Sequence, residues 1–194
     1  MLENCINMLI KLGVKKVFLN TFHLSKQIFE FIKKKNFSID IQIIRDGEMI
    51  LDTGGGILNM INNSKENDFL VLNPDTLWNE EYVNEVNKMQ SFYFLKKISC
   101  ILLMANKALS FDKNLKGDFS IKDNLLKKDD NKNFIYIGCQ ILNKKIFTNQ
   151  TLSKFSILNI WKKLIDEKKL YGFESKQKFY HLTDLKTFNR LKDL

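Results

Sequence analysis

The stretch DFLVLNPDTLW, residues 68–78, decides the fold class of this chain. Its first five residues are almost wholly apolar, which predicts a strand covered on both faces of a sheet. Asn73 and Asp75 follow at once, so the carboxylate stands at the carboxyl end of that strand, where open α/β sheets bind ligands. A carboxylate there suits Mg²⁺, which binds one or two carboxylates together with phosphate oxygens. An aspartate that caps the next helix is the alternative interpretation.

Helices and strands alternate in front of this stretch. Apolar residues at helical spacing predict a helix over residues 3–12, which Gly13 ends, and a second helix over residues 25–35 with a buried apolar stripe. A third helix is predicted over residues 57–62, after the three glycines at 54–56. Strands are predicted over residues 14–20 and 40–45. Strands separated by helices indicate a largely parallel sheet with right-handed crossovers.

The second half of the chain is less regular but continues the α/β pattern. Helices are predicted over residues 80–89, 161–168 and 186–191, and strands over residues 99–106, 117–121, 134–142 and 179–182. The chain has 8 glycines and 1 proline, and no low-complexity linker divides it. We therefore predict a single domain over residues 1–194.

The composition restricts the class of protein. The formal net charge is +9, which fits either a polyanionic partner or a lysine-rich genome composition, because the lysines are scattered and offset by acids. No nucleic-acid recognition motif accompanies the charge, and the longest apolar runs are too short to span a bilayer. We expect neither a nucleic-acid nor a membrane partner. The odd number of cysteines, 3, indicates reduced thiols and a cytoplasmic location.

Two further segments carry residues suited to chemistry. The glycines of the segment DTGGGI, residues 52–57, would allow a ligand to approach the backbone closely. The segment matches neither the Walker motif nor the dinucleotide-binding glycine spacing. A tight structural turn explains the glycines equally well. The segment YHLTDLKT, residues 180–187, offers Asp184 as a second carboxylate, with a helix cap as the alternative. His181 is interpreted as a structural histidine. Cys100 and Cys139 lie in apolar strands and are interpreted as core thiols.

Seven segments in chain order resemble the sugar-1-phosphate nucleotidyltransferases. They are VFLNTFHL, TGGGI, LVLNPDTLW, GDFSI, IYIGCQIL, FSILNIW and FYHLTDLKTFNRL. Within that family the sequence is most similar to the N-acetylmuramate-1-phosphate uridylyltransferase group, also labelled mannose-1-phosphate guanylyltransferase-like. The resemblance extends over essentially all 194 residues.

The resemblance implies a Rossmann-like, three-layer α/β/α nucleotidyltransferase fold with a mostly parallel mixed sheet. It also implies an Mg²⁺-dependent enzyme that joins a nucleoside monophosphate from a nucleoside triphosphate, UTP, to a sugar 1-phosphate and releases pyrophosphate. N-acetylmuramate 1-phosphate is the expected sugar, in cell-wall recycling.

The resemblance also assigns roles to individual residues. The metal-binding and catalytic carboxylates would be Asp75 and Asp184. The nucleotide would be bound by Thr53, Gly54, Gly55 and Asn73, and the sugar by Gly117, Asp118 and Gly138. The sequence departs from the family after Asp184, where residues 185–188 read LKTF in place of Val-Gly-Thr-Pro.

The largest departure is at the beginning. The family's first strand, and the glycine-rich loop with an Arg and a Pro-Lys-Pro element that follows it, have no counterpart before Met1. We expect a gap in the sheet with an unpaired apolar edge, which a homo-oligomer could cover. A nucleotide- or sugar-binding remnant without catalytic activity is therefore the alternative function.

Overall fold

The computed structural model describes residues 1–182 and 184–192. Its helices are α1 (Leu2–Lys11), α2 (Ser25–Lys35), α3 (Asp52–Asn62), α4 (Glu81–Leu95), α5 (Ile157–Asp166) and α6 (Leu185–Lys192). Its strands are β1 (Lys16–Thr21), β2 (Asp40–Arg45), β3 (Asp68–Leu72), β4 (Cys100–Asn106), β5 (Ser120–Lys122), β6 (Leu125–Lys127), β7 (Phe134–Asn143) and β8 (Tyr171–Ser175). In this part of the chain, no helix combines the length and the apolar character needed to cross a membrane.

The strands form two sheets. β1 and β2 pair in parallel, and the other six strands lie in the order β3-β7-β4-β8-β6-β5. β4 and β8 are parallel, whereas β7 runs antiparallel to both β3 and β4. The predicted mixed α/β architecture is thus present. Antiparallel pairs are more frequent than the alternation of helices and strands predicts, because β7 returns between two strands of the opposite direction.

β4 carries the core on both of its faces. Ile101, Leu103 and Ala105 point into one apolar cluster with residues of α1 and α4. Cys100, Leu102 and Met104 point into a second cluster with residues of α3 and α5. Since successive side chains of a strand alternate between its faces, the six-stranded sheet is the middle layer of three.

The two sheets are not joined among the described residues. Each of β1 and β3 is paired along one side only, and a cavity of about 220 Å³ lies between residues 12–14, which lead into β1, and residues 68–70 of β3. The sheet is therefore interrupted, as the sequence analysis expects.

Several elements differ from the sequence-based prediction. α3 begins at Asp52 and contains the three glycines, which were expected to precede a helix starting at Ile57. α2 has no buried residue, although a buried apolar stripe was expected for it. β6 and β8 were not predicted, since one is only three residues long and the other carries the polar residues Glu174 and Ser175.

The position of β4 generates the first prediction. Leu102 is fully excluded from solvent, so Leu102→Ala should lower the free energy of unfolding by about 2–5 kcal/mol through lost burial and a residual cavity. The matched control is Leu95→Ala, because Leu95 is 79% exposed and its replacement should change stability by less than about 0.5 kcal/mol. Urea unfolding followed by circular dichroism measures both. Equal effects would contradict the placement of β4 at the centre.

Candidate active site

Asn73 and Asp75 lie at the carboxyl end of β3, as predicted. The backbone N–H of Asn73 donates to the carbonyl of Gly138 at 2.7 Å, and the indole N–H of Trp78 donates to the carbonyl of Asn73 at 3.1 Å. The hydroxyl of Thr76 donates to the carbonyl of Ile137 at 2.9 Å. These bonds hold the turn that presents Asp75 against β7.

His181 lies beside Asp75. A single antiparallel bridge joins Thr76 and His181, and the N–H of Leu182 donates to the carbonyl of Asp75 at 2.8 Å. The ring of His181 stacks on that of Phe179, with 5.7 Å between the centroids. This arrangement brings Nδ1 of His181 to 3.9 Å from Oδ1 of Asp75.

Both facing atoms lack a hydrogen-bond partner. Oδ1 of Asp75 and Nδ1 of His181 are buried, and no described group of the protein bonds to either. The separation of 3.9 Å is too long for a direct hydrogen bond. The Asp75 side chain as a whole is 47% exposed, so the carboxylate also reaches the surface. An unpaired buried polar atom is costly, which indicates that a ligand or water belongs there.

Asp184 is at the start of α6. Its Oδ1 accepts the backbone N–H of Thr187 at 2.7 Å, and this bond lowers the pKa of the Asp184 carboxyl below its usual value. The carboxylate therefore caps α6, which is the alternative that the sequence left open. The structure brings the side chain of His181, and not that of Asp184, into an ion-pair distance of Asp75 among the described residues.

The glycine segment packs against residues 153–157. The N–H groups of Gly54 and Gly55 both donate to the carbonyl of Phe155, at 2.9 and 3.1 Å, and the hydroxyl of Thr53 accepts the N–H of Ile157 at 3.0 Å. A Cβ atom on Gly55 would lie 2.2 Å from the carbonyl oxygen of Ser153. The close approach that these glycines permit is thus to the protein's own backbone, and Asp52 and Thr53 are the exposed members of the segment.

The residues predicted on the sugar side occupy two places. Gly138 adjoins the Asp75 turn, whereas Gly117 and Asp118 lie beside residues 132–136. Gly138 has φ +84°, and a Cβ there would lie 2.9 Å from Cβ of Asn73, so glycine is required for the contact between β7 and the Asp75 turn. Gly117 packs against the carbonyl of Lys132. Asp118 accepts the N–H of Tyr136 at 2.9 Å, while desolvation raises the pKa of its carboxyl.

The thiols of β4 and β7 are core groups, as the sequence indicates. Cys100 and Cys139 are fully buried, and burial raises the pKa of both thiols well above the usual value. A thiol held protonated is a poor nucleophile.

A metal ion at this site would depend on few protein ligands. Over residues 1–182 and 184–192, no three His, Cys, Asp or Glu side chains are close enough to hold a metal ion. Asp75 and His181 nevertheless offer one oxygen and one nitrogen, both unpaired and facing each other. The donor set therefore fits a cation that takes its remaining ligands from phosphate oxygens and water.

Sequence analysis did not select two features of this edge. His181 faces Asp75 only because the bridge pairs segments that are far apart in sequence. The available signal in the sequence was that His181 and Phe179, two residues apart, share one face of the predicted strand over residues 179–182. The second feature is a polar group at the carboxyl ends of β1 and β2, where Asp46 accepts bonds from Asn20 at 2.9 Å and Asn59 at 3.1 Å. Polar residues that directly follow parallel strands were the signal for it.

Comparisons with known proteins found a sequence relative and solved structures with a similar fold. No protein-family model matches the chain. N-acetylmuramate alpha-1-phosphate uridylyltransferase of Caulobacter vibrioides is 22% identical over 191 residues, which cover 95% of this chain and 79% of that protein. HddC of Yersinia pseudotuberculosis has a similar structure, with a TM-score of 0.77, 20% identity and coverage of 97% of this chain and 82% of that one. The inositol-1-phosphate CTP transferase of T. maritima gives a TM-score of 0.74 at 13% identity, over 95% and 77% of the two chains.

These likenesses confirm two predictions. The solved structures share the fold of this chain, so the predicted fold class is confirmed. The similarity to the uridylyltransferase confirms the resemblance to the sugar-1-phosphate nucleotidyltransferases, which are enzymes.

The packing of the glycine segment predicts the effect of adding a single methyl group. Gly55→Ala should destabilise the fold by about 1–3 kcal/mol, because its Cβ would collide with the Ser153 backbone, which cannot rotate away. Asn62→Ala, at the exposed end of the same helix, is the control and should stay within about 0.5 kcal/mol. Thermal unfolding measures both, and an unchanged Gly55→Ala protein would contradict the packing of residue 153 on α3.

The cap on α6 predicts a pH-dependent contribution to stability. The hydrogen bond from the Thr187 N–H lowers the pKa of folded Asp184 below that of an unfolded aspartate. The contribution of this carboxylate to stability is therefore present above the unfolded-state pKa and is lost as the pH falls through the folded-state pKa. Asp184→Ala should therefore lower Tm at pH 7, and its difference from the unsubstituted protein should shrink towards pH 3. Asp130→Ala, at an exposed loop position, is the control. A difference that did not vary with pH would contradict the cap.

Proposed function

We propose that this chain is a sugar-1-phosphate nucleotidyltransferase. It would transfer a nucleoside monophosphate from a nucleoside triphosphate to a sugar 1-phosphate and release pyrophosphate. The activity of the similar Caulobacter vibrioides protein, an N-acetylmuramate alpha-1-phosphate uridylyltransferase, supports UTP and N-acetylmuramate 1-phosphate as the substrates. The family resemblance implies a role in cell-wall recycling. Nucleotide binding within this fold is supported by the structure of HddC complexed with GMP-PN.

The position of Asp75 is the observation that carries the proposal. A half-exposed carboxylate at the carboxyl end of β3 keeps one oxygen buried and unpaired. Its turn is fixed by backbone bonds to β7, so the carboxylate would not need to be ordered when a substrate binds. No Lys or Arg nitrogen of residues 1–182 and 184–192 lies within 4 Å of this carboxylate, which suits a site that receives a phosphate-bound cation.

The chemistry requires positioning more than a protein nucleophile. An oxygen of the sugar 1-phosphate attacks the α-phosphorus in line, and pyrophosphate leaves. A divalent cation, predicted as Mg²⁺, would neutralise charge on the phosphates when bound. Asp75 would hold and orient the phosphate-bound cation at the sheet edge. Asp184, which caps α6, remains the predicted second carboxylate.

The substrate-binding residues are proposed on the two sides of Asp75. Thr53 and Asn73 would contact the nucleotide directly, and Gly54 and Gly55 would shape its surroundings, because their N–H groups are already bonded to Phe155. The sugar side would comprise Gly117, Asp118 and Gly138. Asp118 offers the acceptor oxygens that a sugar hydroxyl needs.

We also propose a cytoplasmic location. All three cysteines are free and buried, which suits a reducing compartment. The unpaired edges of β1 and β3 support the proposal that two copies associate there.

The decisive experiment is a pyrophosphate-release assay. Purified protein, UTP, N-acetylmuramate 1-phosphate and either Mg²⁺ or Mn²⁺ should give turnover, and Asp75→Asn should lower kcat about 100-fold or more through loss of charge stabilisation. Asp184→Asn tests the second carboxylate in the same assay. Asp130→Asn is the matched control and should keep full activity.

The other outcomes separate the candidate functions. UTP binding without turnover, with any nucleoside triphosphate and sugar phosphate, would favour the non-catalytic binding protein. Full activity of an Asp75→Asn protein with an unchanged Tm would contradict the role of Asp75.

A further inference from the structure

We propose that Asp75 and His181 form a mixed carboxylate–imidazole cation site, which selects a late first-row cation such as Co²⁺ or Zn²⁺ over Mg²⁺. The site is the one described above, and its catalytic role rests on the proposed function. The cation preference itself rests on the two side chains and can be measured without turnover.

The geometry of the pair fits two ligands of one cation. Oxygen and nitrogen ligands lie about 2.1 Å from such cations, so two ligands of one cation are about 3.0 Å apart in cis octahedral geometry and about 3.4 Å apart in tetrahedral geometry. Oδ1 of Asp75 and Nδ1 of His181 are 3.9 Å apart, and neither has a partner in the described part of the chain. A shift of about 0.5 Å would bring the pair to the tetrahedral spacing. A direct bond between them would have brought them to about 2.9 Å.

The surroundings hold both groups in place. The bridge between Thr76 and His181 fixes the two backbones, and the stack on Phe179 fixes the imidazole plane. A metal-binding imidazole is effective when its ring is oriented before the ion arrives. The Asp75 turn is itself bonded to β7 at Asn73 and Thr76.

The charge at the site also favours a cation. Within residues 1–182 and 184–192, no Lys or Arg nitrogen lies within 4 Å of the Asp75 carboxylate. His181 is the group that approaches it, and a neutral imidazole supplies a lone pair and no charge. The carboxylate charge is therefore left for a bound cation to neutralise.

The donor types determine which cation is preferred. Mg²⁺ favours oxygen ligands in near-ideal octahedral geometry and gives up its waters reluctantly. Imidazole nitrogen binds Co²⁺ and Zn²⁺ more strongly, following the general order of divalent affinities. The imidazole of His181 thus shifts the site away from Mg²⁺, whereas a second carboxylate at that position would favour it.

The experiment measures binding of the metal alone. Chelator-treated protein of residues 1–194 is titrated with Co²⁺ and, separately, with Mg²⁺ by isothermal titration calorimetry, and Co²⁺ absorption in the visible range is recorded. We expect Co²⁺ to bind at least about tenfold more tightly than Mg²⁺. His181→Phe keeps the aromatic stack but removes the nitrogen, and should abolish this preference. His181→Asp should reverse it towards Mg²⁺.

His23→Asp is the matched control, because His23 is exposed on the loop after β1. It should leave the preference for Co²⁺ unchanged, provided that each variant keeps the circular dichroism spectrum of the unsubstituted protein. Equal affinities for both metals in the unsubstituted protein, or a preference retained in His181→Phe, would overturn the proposal. In either case a water molecule between Oδ1 and Nδ1 would be the better explanation. Pyrophosphate release with Mg²⁺ would still test the proposed function separately.

Discussion

The complete burial of β4 is the constraint on which the rest of the structure depends. Its residues from Cys100 to Ala105 have no contact with solvent, so both faces of the strand require a helical layer. α1 and α4 supply one layer, and α3 and α5 supply the other. β7 pairs with β4 along one side and with β3 along the other. The position of β7 therefore determines where the Asp75 turn, which follows β3, is held. The site is thus positioned by the same strand pairing that closes the core.

The site edge combines fixed backbone with unsatisfied side chains. Asn73 and Thr76 are bonded to β7, and Asp75 is bridged to the segment that carries His181. The facing side-chain atoms of Asp75 and His181 remain without partners. Buried polar atoms without a hydrogen-bond partner are unfavourable in the unliganded protein. Such atoms are typical of a position where a bound ligand supplies the missing partner. The energetic cost is local, because hydrogen bonds at Asn73, Thr76 and Leu182 hold the backbone on both sides of the pair.

The sequence predicted features that depend on local pattern. The apolar run of β3 followed by Asp75 located one member of the site, and the family resemblance was carried by short segments in order. His181 was not recognised as the neighbour of Asp75, because that contact depends on a bridge between residues more than a hundred positions apart. The glycines at positions 54 and 55 were ambiguous, since a glycine can accommodate a ligand or another part of the chain, and only the position of Phe155 distinguishes the two.

The interrupted sheet has a consequence for how the molecule opens. β1, α2 and β2 pair with one another, α2 buries none of its residues fully, and no ladder hydrogen bonds in the described residues connect them to β3. Such a segment can lose its structure while the six-stranded sheet stays intact, because few buried contacts would be broken. Residues 16–45 are therefore expected to form a separate cooperative unit, whose amide hydrogens exchange with solvent through local opening instead of global unfolding.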